Sequence, residues 1–155
     1  MPDPCRAHAA LSSRPRAQPP FRGLVPAFHA LAAELAGRAG VVAVYVAEAH
    51  AADEWPISSA RATRDGAPVE VAQARSTAAR VAAAANFVQN FDFEIRMLVD
   101  PVGPPEDGPF DAAFAPWPLR FYVFKNGVLR YKAQPRNCTF DVAELRARAL
   151  ALAAE

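Results

Sequence analysis

Cysteine is nearly missing from this chain, whose 155 residues include only Cys5 and Cys138. Neither has a second cysteine three positions away, which excludes the CxxC pattern of a redox dithiol or a zinc site. Two isolated thiols suit a reducing compartment, so the cytoplasm is the expected location, while a disulfide between them stays open. Long apolar runs are lacking too. None approaches the roughly 18 residues of a membrane span. The N-terminal stretch MPDPCRAHAALSSRPRAQ has no continuous apolar segment to act as a secretory signal. Charge of one sign is also scarce: 17 Lys and Arg against 16 Asp and Glu leave a net charge of +1. With no basic stripe, nothing calls for nucleic acid or an anionic membrane as a partner. No metal site is expected.

What is present is enough apolar material for one domain with a real core, although much of the 52% apolar content is alanine. Residues 1–20, rich in Pro, Ala, Ser and Arg, show no period. Arg6, Arg14 and Arg16 with Ser12 and Ser13 allow a transit peptide, but a disordered tail is the plainer reading. The domain is therefore expected to run from 21 to 155. From Phe21 a helical stripe begins: Phe21, Leu24, Val25, Phe28, Leu31 and Leu35 share one face. Pro19 and Pro20 suit its first turn, Pro26 should kink it, and Gly37 and Gly40 should end it.

Val41 to Val46 is a short β-branched run that reads as a strand buried on both faces. The polar stretch after it is too long for a simple connection. A second helix is predicted over 71–88, with Ala74, Ala78, Val81, Ala85 and Val88 on one face. Residues 94–99 read as a strand closed by Asp100-Pro101, and the following segment, dense in proline and glycine, as a loop. Residues 120–124 and 128–132 flank Asn126-Gly127, the signature of a tight type I′ hairpin. The last helix, 141–153, opens on Asp141 as N-cap with Glu144 three residues on, and Phe140 and Leu145 form a hydrophobic staple. Val142, Leu145 and Leu152 would give its buried face. The order predicts an α/β domain: a central mixed sheet flanked by helices, in the thioredoxin arrangement. No convincing strand is found in residues 1–18, so the first strand is expected to be weak or missing.

Tyr45-Val46-Ala47-Glu48-Ala49-His50-Ala51-Ala52-Asp53-Glu54-Trp55 resembles the Y-I-x-E-A-H-x-x-D-G-W stretch of the iodothyronine deiodinases and their bacterial relatives. Pro19-Pro20-Phe21 looks like the proline pair and phenylalanine after that family's catalytic residue. Arg75-Ser76 and Arg80 resemble the start of its second helix. Pro118-Leu119-Arg120-Phe121-Tyr122-Val123 resembles its P-x-R-L-Y-V, whose proline is cis and faces the active site. The likeness covers about residues 19–152. It implies reductive removal of iodine from an aromatic ring by a selenocysteine or cysteine at the start of the first helix, where the helix dipole favours the anion. A nearby acid returns a proton to the ring carbon, and a thiol reductant regenerates the enzyme as co-substrate, with no cofactor.

Here the position of that nucleophile holds Gln18, whose amide can neither ionise nor act as a soft nucleophile. Glu54, where glycine is usual, and Ala74, where vertebrate members often carry histidine, are further departures. His50 is the candidate proton donor or substrate clamp, against a reading as an ordinary loop histidine. Glu48, two residues earlier on an extended segment, would orient it or simply be solvated. Arg120 would bind the substrate's amino-acid end or pair with Asp53 or Glu48. Trp55 would stack on the ring or pack, and Pro118 would line the site. Cys138, at the far end from the site, reads as a buried thiol.

Three functions follow. One is a deiodinase-like oxidoreductase whose N-terminus is misread, because a selenocysteine codon passes for a stop, or is degenerate. Another is an inactive binding module for an aromatic ligand. A thiol peroxidase relative is disfavoured, because no peroxidatic cysteine is present. The oligomeric state stays open, a homodimer among the options.

Overall fold

The computed structural model describes residues 7–13, 19–49, 51–54, 56, 70–103, 108–116, 119–134 and 140–155. Nine elements follow in order: β1 (Ala7–Ser13), α1 (Pro19–Leu35), β2 (Ala39–Tyr45), α2 (Thr77–Phe91), β3 (Arg96–Val99), α3 (Gly108–Phe114), β4 (Leu119–Lys125), β5 (Val128–Ala133) and α4 (Val142–Ala154). One mixed sheet has the order β3-β2-β1-β4-β5. β1 runs parallel to β2 and β2 to β3, while β4 is antiparallel to both β1 and β5.

The sheet corrects the reading of the N-terminus. Ala7–Ser13, expected to be tail, is the central strand, paired along its length with β2 on one side and β4 on the other. Three alanines and two serines in seven residues carry little strand preference. Two neighbouring ladders supply instead the backbone bonds that local sequence does not announce.

Strand alternation sorts the side chains of β4 to two faces. Leu119, Phe121 and Val123 join Val25, Phe28, Leu31 and Leu35 of α1, Phe87 of α2 and Leu145 of α4 in the main core. Phe28 and Phe121 stack at 5.0 Å and Phe121 meets Phe140 at 4.8 Å. Burying each such ring contributes roughly 1.5–3 kcal/mol. On the opposite face Tyr122 and Phe124 meet Phe110 and Phe114 of α3, with centroids 5.5–6.2 Å apart.

The first helix buries Val25, Phe28, Leu31 and Leu35 of its predicted stripe and carries Pro26 in its interior. The second starts later than predicted and turns another face inward. Arg80, Ala84 and Phe87 are buried, whereas Ala78, Val81 and Ala85 are exposed. In an alanine-rich helix nearly every position is apolar, so the few large side chains choose the face. The proline- and glycine-rich loop contains α3, which was not predicted. Its first N–H groups are satisfied from outside the helix: Phe110 N and Asp111 N donate to the Asp100 carboxylate at 2.9 and 3.0 Å. Gly108, at φ +82°, starts the helix where a Cβ would strike that carboxylate and lie 2.6 Å from the Pro101 carbonyl. The hairpin is as predicted, with Asn126 at φ 52° and Gly127 at φ 73° between Lys125 and Val128. Asp141 caps α4, accepting from Glu144 N at 2.8 Å.

Candidate functional site

The registers align four strand ends in one row: Leu119, Ser13, Tyr45 and Val99 are neighbours across the sheet. β1, β2 and β3 end there and β4 begins there. The chain therefore leaves this edge after Ser13, after Tyr45 and after Val99, and returns to it at Leu119. The crevice outside the carboxyl ends of parallel strands is where open α/β sheets bind ligands. Gln18 immediately precedes Pro19, the first residue of α1. Gln18, His50, Trp55 and Pro118 lie outside the described residues, as does the expected cis bond between Trp117 and Pro118.

Glu48 is buried, with 5% of its surface exposed. Its carboxylate accepts a hydrogen bond from the hydroxyl of Tyr45, itself buried at the end of β2. The sequence reading quoted Tyr45 within the motif but gave it no role. A tyrosine three residues before a carboxylate reaches it only because the chain turns off the sheet between them.

Gln73, which carried no sequence signal, closes on the same residue: its Oε1 accepts from Glu48 N at 3.0 Å and its Nε2 donates to Glu48 O at 3.1 Å. Nε2 also donates to Glu54 Oε2 at 2.9 Å, and Gln73 N donates to Asp53 Oδ1 at 2.7 Å. Ala52 N donates to Val71 O at 2.8 Å. On the outside, Arg75 pairs with Glu54 at 2.8 Å and with Asp53 at 3.6 Å. The bond from Gln73 N, with Arg75 nearby, holds the Asp53 carboxyl below its usual range.

Of the two readings of Arg120, internal pairing with Asp53 or Glu48 is not what the structure shows. The Asp53 carboxylate meets Arg75, and the Glu48 carboxylate meets the Tyr45 hydroxyl. Arg120 instead donates to the Leu119 carbonyl at 2.7 Å. It shares the α3 side of β4 with Tyr122, whose hydroxyl donates to Phe114 O at 2.7 Å. Burial pushes the Tyr122 phenol up to about 12, against an opposing pull from Arg120.

Arg80, part of the likeness to the start of the family's second helix, is given no role by the sequence but has one in the structure. Only 2% exposed, it donates from Nη1 to the carbonyl of Asp100 at 2.8 Å, just past the end of β3. Asp100 N in turn donates to Tyr45 O at 2.9 Å, so the ends of β2 and β3 and the first turn of α2 are tied together. Among the described residues no group of three His, Cys, Asp or Glu is placed to hold a metal ion. No described helix is long and apolar enough to cross a membrane.

This geometry meets its family in a match to the iodothyronine deiodinases over residues 14–151. The chain belongs to that family. No curated protein sequence matches it. Its fold is thioredoxin-like, as three solved structures bear out. A secreted Mycobacterium tuberculosis disulfide oxidoreductase superposes with a TM-score of 0.56 at 14% identity, over 94% of this chain and 81% of its own. A thioredoxin-like superfamily protein gives 0.55 at 14%, over 97% and 82%. A hypothetical protein from Sinorhizobium meliloti 1021 gives 0.56 at 18%, over 97% and 70%. For this deiodinase family member, the first helix of the match begins directly after Gln18.

Proposed function

We propose that this family member is an oxidoreductase domain built for reductive dehalogenation of iodinated aromatic substrates of the iodothyronine type. Gln18 stands where the family's selenocysteine or cysteine stands. One observation carries the reading: the family match includes both position 18 and the buried Tyr45–Glu48 pair at the carboxyl edge of the sheet. In the family's chemistry a thiolate or selenolate takes the iodine. The electron pair of the C–I bond passes to the ring carbon, which takes a proton from a nearby acid. One thiol then displaces iodide from the enzyme, and a second releases the nucleophile. An aryl iodide and two thiols thus become an arene, a disulfide and hydrogen iodide.

On this reading His50 is the acid, oriented from the Glu48 side, and Arg120, Trp55 and Pro118 border the substrate. The working compartment is reducing and cytoplasmic. Glutamine cannot take the iodine, so this chain binds its substrate without turning it over. A specific observation favours the second reading, a natural binding module. Residues 7–13, ahead of Gln18 in the sequence, form β1 at the centre of the sheet and so belong to the fold.

The test is iodide release from an iodinated phenol with excess dithiothreitol. The unmodified chain is expected to release none. Gln18→Cys is expected to gain thiol-dependent release, since position 18 directly precedes the start of α1, where the helix dipole favours a thiolate. His50→Ala on that background should remove most of the gain. Turnover by the unmodified chain would overturn the role given to position 18. A Gln18→Cys protein that binds the phenol yet releases no iodide would leave only the binding module.

A further inference from the structure

We propose that Gln73 is the positioning residue of this site, setting the place of Glu48 by clasping its backbone. The proposal rests on the reading above in which Glu48 serves the chemistry. β2 ends at Tyr45, and three residues later the chain is no longer held by the sheet ladder. There the Gln73 amide does what a neighbouring strand would do. It accepts from Glu48 N at 3.0 Å and donates to Glu48 O at 3.1 Å, so both sides of one residue are fixed by one rigid planar group.

A second donor bond, to Glu54 at 2.9 Å, and the backbone bond to Asp53 at 2.7 Å fix the amide itself. Of these contacts, only the Gln73 side chain touches Glu48. Arg75 bonds Glu54 and Asp53 from the outer side and does not reach it. The two layers therefore separate by function. The outer ion pairs close the neck where 51–54 meets 70–75, while the inner amide places the carboxylate that Tyr45 meets. Reactive groups need placement to within about 0.5 Å, and a carboxylate on an unclasped turn does not keep it.

The chemistry of the clasp predicts an unusual rescue. An ionised glutamate at position 73 can only accept, so it cannot donate to Glu48 O and it repels Glu54. Once protonated, its carbonyl accepts from Glu48 N and its hydroxyl donates to Glu48 O, restoring both bonds. Leucine at 73 offers neither at any pH.

The experiment places Gln73→Leu, Gln73→Glu and Arg75→Ala on the Gln18→Cys background. It reads native-state amide exchange at Glu48, and kcat and KM for iodide release between pH 5 and 8. With Gln73→Leu, exchange at Glu48 should quicken about 10-fold or more relative to Val44 in β2. In the same variant kcat should fall about 10- to 100-fold with KM within about twofold. Gln73→Glu should match that loss at pH 8 and recover as pH falls. Arg75→Ala should stay within about twofold on every measure.

An unchanged Glu48 exchange rate in Gln73→Leu would overturn the proposal. So would equal losses in Gln73→Leu and Arg75→Ala, or a Gln73→Glu profile without acid recovery. If Gln18→Cys releases no iodide, the dehalogenation reading fails by itself. The exchange rates then decide the clasp: quickening confined to Glu48 and its neighbours upholds it, and no quickening overturns it.

Discussion

Asp100 and Gly108 form a pair whose coupling can be measured. The Asp100 carboxylate takes two backbone N–H groups at the start of α3, from Phe110 and Asp111, and is only 2% exposed. α3 has seven residues, too few to form a helix unaided, so its start depends on this cap. Replacing a side-chain cap by alanine costs about 0.5–2 kcal/mol, and bonds to a charged acceptor lie above the neutral value. Asp100→Ala should therefore cost about 2–3 kcal/mol. Gly108→Ala should cost about 2–4 kcal/mol, from a left-handed φ of +82° and a collision with the same carboxylate.

With the carboxylate removed, only the φ cost and the Pro101 carbonyl remain against the new methyl group. The double variant should lose about 1–2 kcal/mol less than the sum of the singles. At about 2.1 cal/mol/K per residue, 155 residues give an unfolding entropy near 0.33 kcal/mol/K, so each kcal/mol moves Tm by about 3 °C. Thermal unfolding followed by circular dichroism would show the shortfall as about 3–6 °C. Additivity within about 0.5 kcal/mol would refute the reasoning, as would an Asp100→Ala protein as stable as the parent.

Two further expectations concern pH. Arg146 bonds the Glu34 carboxylate across the α1–α4 contact, and this hydrogen bond holds the Glu34 carboxyl below its ordinary value of 4.5. A depressed folded pKa stabilises above the unfolded value and is lost as pH falls through the folded one. The Tm gap between the parent and Glu34→Gln should thus be present at pH 7, close below about pH 4.5, and shrink in 1 M salt. A gap that persists at pH 3 would count against it. Tyr122 has the opposite sign: a phenol raised to about 12 stabilises below its unfolded value of 10 and loses that contribution as pH climbs from 10 to 12. Tyr122→Phe should cost about 1 kcal/mol at pH 7 through the lost bond to Phe114 O, and that difference should fade above pH 10. An absorbance titration that ionises all three tyrosines near pH 10 would contradict the burial argument.

Local chemistry was enough to determine, from the sequence alone, the first helix, the hairpin and the last helix. A stripe of large side chains from Val25 to Leu35, an Asn-Gly pair needing two left-handed residues, and Asp141 three residues before Glu144 each act within a few positions. The family was legible for the same reason, since its motif lies in one uninterrupted stretch after β2. Residues 7–13 were not legible, because an alanine-serine segment becomes a strand only when β2 and β4 flank it. α3 was hidden because its cap comes from Asp100, ten residues before Phe110, and not from its own first turn. The inward face of α2 was misjudged because alanine offers no contrast until Arg80 and Phe87 meet the core.

Within the site, Glu48 could be named from the motif, but its partners could not. Tyr45 reaches it around the end of a strand, and Gln73 from 25 positions away. Hydrogen bonds to a backbone carbonyl and amide leave no periodic trace in composition. Only the closing of Gln73 onto Glu48, Asp53 and Glu54 brings those groups within about 3 Å of each other.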